Sequence, residues 1–198
     1  MKSLLRLATC VSLVSLSATC FADEVTENLD TAKSAYDAGK YSEAITALDY
    51  ASSLIRQKKG EAVVKLLPAA PKGWTAEEGE SEATSSSMMG GIVGAKRVYR
   101  RAEGEGRVTI QIQSDSPLLQ TYGMMFSNPM LLTSSGAKLE TIKGQKCAVT
   151  FKNGGKNGDV KAVVDNRYMI TIDGDDLTRE ELVSFAKAID YSALSALK

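Results

Sequence analysis

The chain has 198 residues, with 24 lysines and arginines against 24 aspartates and glutamates, so it is formally neutral. That length suffices for one sizeable domain, and the charge balance offers no basic surface for nucleic acid. Histidine is absent, which excludes Ser-His and Cys-His nucleophile systems and every histidine-dependent metal site.

The N-terminus reads as a targeting signal. Lys2 and Arg6 supply a basic start, Leu7 to Cys20 is apolar with interspersed serines, and Cys20-Phe21-Ala22 places small residues at −3 and −1 ahead of Asp23-Glu24. Residues 1–22 are therefore expected to be a signal peptide cleaved after Ala22. Their apolar part is too short to span a bilayer, and Thr19 before Cys20 fits a lipoprotein signal poorly. Cleavage would remove Lys2 and Arg6, leaving 22 basic against 24 acidic residues, and would leave Cys147 as the one thiol. A single thiol forms no internal disulfide. Alternating with Val149 and Phe151 on an apolar side, Cys147 reads as a small buried hydrophobe.

From Glu24 to about Lys65 the pattern is that of two helices. Gly39, Tyr41, Ala44, Ile45, Leu48 and Ala51 fall where a tetratricopeptide repeat has its tight Gly-x-Tyr turn and the small residues of its helix contact. The stretch from about Thr26 to Gln57 resembles one such repeat, and the resemblance implies a helical hairpin. No second copy appears at the ~34-residue period of that family, and a lone repeat cannot bury its own apolar face. The hairpin is thus expected to pack in cis on the following domain, with a second protomer or a partner as the alternatives. Leu54, Ile55, Val63, Leu66 and Leu67 extend the apolar face across Arg56 to Gly60, a charged run read as a solvated face or a helix break.

Pro68 to Trp74 carries two prolines and a glycine and marks a boundary. It divides the chain into a hairpin over 23–67 and a second domain over 68–198. Thr75 to Gly94, acidic and then rich in Ser, Gly and Met, is expected to be a mobile connection or a frayed hairpin. Arg97 to Arg101 reads as an edge strand, with Arg97 and Tyr99 pointing opposite to Val98 and Arg100 so that its charge splits between both faces. Glu103 to Gly106 reads as a turn.

The rest of the chain is organised around the stretch from Arg107 to Met130. Val108, Ile110 and Ile112 alternate with Thr109, Gln111 and Gln113, the period of a strand with one buried face. Asp115 or Ser116 can cap a helix that has Pro117 in its first turn, Leu118, Leu119, Tyr122, Met125 and Phe126 on one stripe, and Asn128-Pro129 at its end. A strand feeding a helix that folds back on the sheet gives an α+β core. Lys138 to Lys143 and Gln145 to Phe151 read as strands around Gly144, and Asn153 to Asp159 as a hairpin turn. Val160 to Val164 and Arg167 to Ile172 read as strands around Asp165-Asn166. In the last helix Thr178 is the N-cap, Glu181 completes a capping box, Leu177 and Leu182 occupy staple positions, and Leu182, Phe185, Ala186 and Ile189 form the buried stripe.

The order of strands, helix, strands and helix, opened by Pro71-Lys72-Gly73-Trp74, resembles the Mog1/PsbP-like α/β sandwiches of small exported proteins. The resemblance is one of topology. It implies an antiparallel sheet with helices on its faces and an accessory or assembly role, and it carries over no functional residue.

Three features bear on chemistry. Met88, Met89 and Met124, near Met125 and Met130, could offer thioethers to Cu(I) or an apolar lining to a hydrophobic ligand, the plain alternative being core filling. Asp173 to Asp176 fails as a calcium loop, because the twelfth position is Ser184 and not a bidentate glutamate; it reads as a turn whose charge suits the following helix N-terminus. Gly90 to Gly94 lacks the strand, helix and distant acid of a dinucleotide fingerprint.

The reading is an exported, periplasmic, non-enzymatic accessory protein that needs no cofactor and binds another envelope protein. Tyr36, Tyr41, Leu48, Tyr50 and Leu54 are its expected partner-binding residues. Neither nucleic-acid binding nor stable membrane insertion is expected. One alternative is a carrier of a lipid or other hydrophobic small molecule, with Met88 to Val93 as a lid and Met88, Met89 and Met124 as contacts. The other is a Cu(I) binder using those methionines.

Overall fold

The computed structural model describes residues 23–83, 92–114, 116, 118–128, 130, 132, 136–152 and 155–197. The expected signal peptide, Met88 and Met89 with most of the expected lid, and the expected helix signals at Asp115, Pro117 and Pro129 lie outside the described residues.

The first two helices, α1 (Glu24–Asp37) and α2 (Tyr41–Val64), form an antiparallel hairpin. Gly39 sits at φ +73°, the left-handed conformation that closes a Schellman motif. The Lys40 N–H donates to Ala35 O and the Gly39 N–H to Tyr36 O, both at 2.9 Å. The seam between the helices is built from alanine: Ala32 and Ala35 on α1, Ala44, Ala47 and Ala51 on α2, all buried.

Helix α2 runs unbroken through Arg56 to Gly60, so that charged run is a solvated face and not a break. Gly60 is buried where α2 crosses the sheet, and a Cβ there would fall 2.1 Å from Ser81 Oγ. Val63 and Leu67 join the main core beside Trp74 and Tyr99. The chain leaving the helix is pinned by Arg97 Nη1, which donates to Leu67 O and Pro68 O at 3.1 Å, and by the Tyr99 hydroxyl, which donates to Pro68 O at 2.7 Å. The hairpin therefore docks in cis, through the C-terminal part of α2. The main contacts of α1 are with α2.

Eight strands form one antiparallel sheet: β1 (Trp74–Ala76), β2 (Glu80–Ala83), β3 (Val93–Arg101), β4 (Arg107–Ser114), β5 (Lys138–Ile142), β6 (Gln145–Phe151), β7 (Gly158–Val164) and β8 (Tyr168–Asp175). Their order is β1-β3-β4-β8-β7-β6-β5, with β2 also paired to β3. Two expectations are corrected. In its described residues Thr75 to Gly94 follows the hairpin alternative and not the mobile one, contributing β1, β2 and the start of β3 with β2 and β3 paired antiparallel, and β3 is not an edge strand because β1 and β2 flank it opposite β4. β1 and β2 are short and polar and owe their strand state to pairing with β3, which no local period announces. The expected opposition of Tyr99 to its neighbours is seen, with Tyr99 buried and Arg100 exposed.

A third correction concerns the acids. β8 runs through Asp173 and Asp175, and the turn comes at Asp176, at φ +51°. Gly174 is buried between the two aspartates and pairs with Gly158 across the ladder. At both positions a Cβ would strike the core: 2.3 Å from Leu177 Cδ2 at Gly174, and 2.4 Å from Phe151 Cδ2 at Gly158.

Val108, Ile110, Ile112, Val160, Ala162, Val164, Tyr168, Ile170 and Ile172 form the covered face of the sheet. Two helices close it, α4 (Arg179–Ala188) and α5 (Tyr191–Ala196), with Leu182, Phe185, Ala186, Ile189 and Leu194 in the core; α3 (Leu118–Ser127) lies earlier in the chain, after β4. The capping box is present: Glu181 N donates to Thr178 Oγ1 at 3.2 Å, and Thr178 N donates to Glu181 Oε2 at 2.8 Å. On the other face Thr109, Gln111, Gln113 and Thr171 are half-buried. There α3 meets the sheet through a second, smaller core in which Met125 and Phe126 pack with Leu132, Ala137 and Ala148. The architecture is α+β, a helical hairpin followed by an antiparallel sheet carrying helices.

Candidate functional site

Among the described residues ten large hydrophobic side chains are exposed, and seven of them belong to the hairpin. Six share one flank. Leu29 and Tyr36 on α1, and Tyr41, Ile45, Leu48 and Ile55 on α2, are 44 to 64% exposed. An α-helix turns about 100° per residue, which puts these residues on average about 80° round each helix from its alanine seam. Because the helices are antiparallel, turning the same way from the shared seam brings both lines to the same side. The Tyr36 and Tyr41 rings meet there, their centroids 5.8 Å apart.

The spacing along α2 is informative. Tyr41, Ile45, Leu48 and Ile55 follow a four-three repeat, with Ser52 in the missing place. Leu29 and Tyr36 are seven apart on α1. This is the spacing of a coiled-coil seam, here without a covering helix among the described residues. Charge near the tip is internally paired, Lys33 with Asp37 at 3.4 Å and Lys40 with Glu43 at 3.0 Å. The flank is apolar.

Of the five residues expected to bind a partner, the structure brings together Tyr36, Tyr41 and Leu48. It separates Tyr50 and Leu54 from them. Tyr50 lies roughly 90° round α2 in the opposite sense, lining a separate groove with Asn28, Thr31, Glu43 and Thr46. Its hydroxyl donates to Glu24 Oε1 at 2.9 Å, and the Glu24 carboxylate pushes the tyrosine's ionisation up. Leu54 is half-buried. Leu29, Ile45 and Ile55 take their places on the flank; the four-three spacing of exposed residues was the signal for them, hidden because Ile45 also fits the internal contact of a repeat.

The methionine set is not assembled among the described residues, since Met88 and Met89 lie outside them. Met124 is exposed on α3, where it lines an open groove of about 620 Å³ with Leu119, Gln120, Gly123 and Asn166. Among the described residues no three His, Cys, Asp or Glu side chains are placed to hold a metal ion. Asp173 is exposed on β8, and partial desolvation pushes its carboxyl up against the pull of Lys161. Cys147 is buried with Sγ 3.9 Å from the Tyr191 hydroxyl, and burial pushes the thiol up, which suits packing and not reactivity.

The densest ionic cluster is structural. Arg101 pairs with Glu181 at 2.8 Å and Asp176 at 3.7 Å, and its guanidinium lies 5.1 Å from the Trp74 ring centroid. Burial works against the Glu181 charge, yet the Thr178 N–H and Arg101 outweigh it and hold the carboxyl below its ordinary range. Every charge here has a partner, so the cluster ties β3 to the start of α4 and offers no free group to a ligand.

No family model, no curated protein and no solved structure matches the chain. Among the described residues no helix is long and apolar enough to cross a membrane.

Proposed function

We propose that this is an exported, periplasmic accessory protein without catalytic activity, which works by binding another envelope protein through the open flank of its hairpin. One observation carries the reading: six large hydrophobic side chains converge on one side of two helices that are themselves well packed and anchored. Leaving such a patch in water is unfavourable, and large contiguous apolar patches mark interaction sites. The hairpin is here a single tetratricopeptide-like unit whose missing neighbour is supplied by another protein, and the sheet beyond it, Mog1/PsbP-like in topology, is the platform that holds it. The test is a crosslinking survey in the cells the protein comes from, comparing the parent with Ile45→Glu and Leu48→Glu. The expected result is one protein adduct lost in both variants; unchanged adducts would refute the reading.

The carrier reading keeps one supporting observation, the groove beside Met124. It predicts a copurifying lipid displaced by Met124→Glu.

A further inference from the structure

We infer that the occupant of the hairpin flank is an amphipathic α-helix of the partner, laid across the exposed apolar side chains of α1 and α2; this rests on the docking reading above and specifies its partner. The flank itself selects the class. It is made of side chains on two helices whose backbone groups are already hydrogen-bonded within the helices, so an extended segment would find no N–H or C=O to complete its own ladder. A helix satisfies its backbone internally and needs only apolar contact. The period agrees: Tyr41, Ile45, Leu48 and Ile55 repeat at four-three intervals, and Leu29 and Tyr36 repeat at seven. Knobs from a third helix with the same period fit between these lines.

The dimensions agree as well. Tyr41 to Ile55 spans about 21 Å at 1.5 Å per residue, or about four turns of an occupying helix. With ordinary side-chain sizes, the six exposures amount to roughly 700 Å² of largely apolar surface, against about 800 Å² that each partner gives to a stable complex. Tip charges are paired within the hairpin, so the partner helix presents an uncharged face with a small or polar residue opposite Ser52.

The experiment places a photo-crosslinking amino acid at 45, at 48 or, as a control on the opposite flank, at 50 of the full chain in its own cells, and maps the adducted residues. Adducts from 45 and 48 are expected on partner residues three or four apart, within a segment whose apolar residues recur at that period. Leu29→Glu is expected to reduce both at least tenfold without lowering the melting temperature. Adducts on residues two apart would overturn the helical occupant and leave the docking reading standing. Adducts on the flank of a second copy would overturn it in favour of self-association. No protein adduct at 45 or 48 would end both readings together.

Discussion

At the residue scale, the paired glycines Gly158 and Gly174 show how little freedom the core leaves. A methyl group at Gly158 would sit 2.6 Å from Thr150 O and 2.9 Å from Leu182 Cδ2 as well as against Phe151. The first of these is backbone and cannot swing aside. Gly158→Ala is therefore expected to destabilise the fold by about 1–3 kcal/mol, read as a fall in the urea midpoint. Tyr99 gives a prediction of a different kind. It is fully buried, and burial pushes its ionisation up to about 12 although Arg97 pulls the other way. An unfolded tyrosine ionises near pH 10. Below that pH both states are neutral and the stabilisation is complete; as pH rises through about 10 to about 12 the unfolded chain loses its proton first, and stability falls. Urea titrations from pH 8 to 11 should show this decline, and Tyr99→Phe should make it less steep, the remainder coming from Tyr191, whose ionisation burial also pushes up. The same substitution removes the 2.7 Å bond to Pro68 O and costs about 1 kcal/mol at neutral pH.

At the element scale, helix α4 depends on its first turn. Thr178 caps it, Glu181 returns the bond, and Arg101 holds Glu181 from β3. Thr178→Ala should cost about 1 kcal/mol in chemical denaturation, with the native sheet signal retained. This element was legible residue by residue, because cap, box and staple are all local chemistry. So were β4, whose alternation sets Val108, Ile110 and Ile112 inward, and the β5–β6 turn, where Lys143 and Gly144 both take positive φ. The elements that sequence reasoning missed are those made by tertiary pairing. β1 and β2 have no alternation of their own and exist because β3 offers them an edge. Asp173 and Asp175 looked like a turn since both are acidic beside a glycine, yet the ladder between β4, β8 and β7 carries the chain straight through them. The candidate surface was half legible for a related reason. Helical position was readable, but which of two apolar lines on α2 faces α1 depends on packing; the alanines took the inner line and left Tyr41, Ile45 and Leu48 outside.

At the scale of the whole molecule, the chain divides its apolar surface unevenly. The sheet and its helices bury theirs around Tyr99, Tyr168 and Phe185, whereas the seam between α1 and α2 buries alanines and leaves Tyr36, Tyr41, Ile45 and Leu48 exposed beside it. Polar substitutions at Ile45 or Leu48 are expected to cost the isolated fold no more than about 0.5 kcal/mol, so a loss of binding in such variants would report on the proposed partner and not on folding. The most direct measurement is native mass spectrometry of the protein purified gently from its own cells, beside its Ile45→Glu, Leu48→Glu double variant. A complex with a second polypeptide that is lost in the double variant, with an unchanged melting temperature, is the predicted result. A bare monomer from both preparations, or the same complex from both, would contradict partner docking through the hairpin flank.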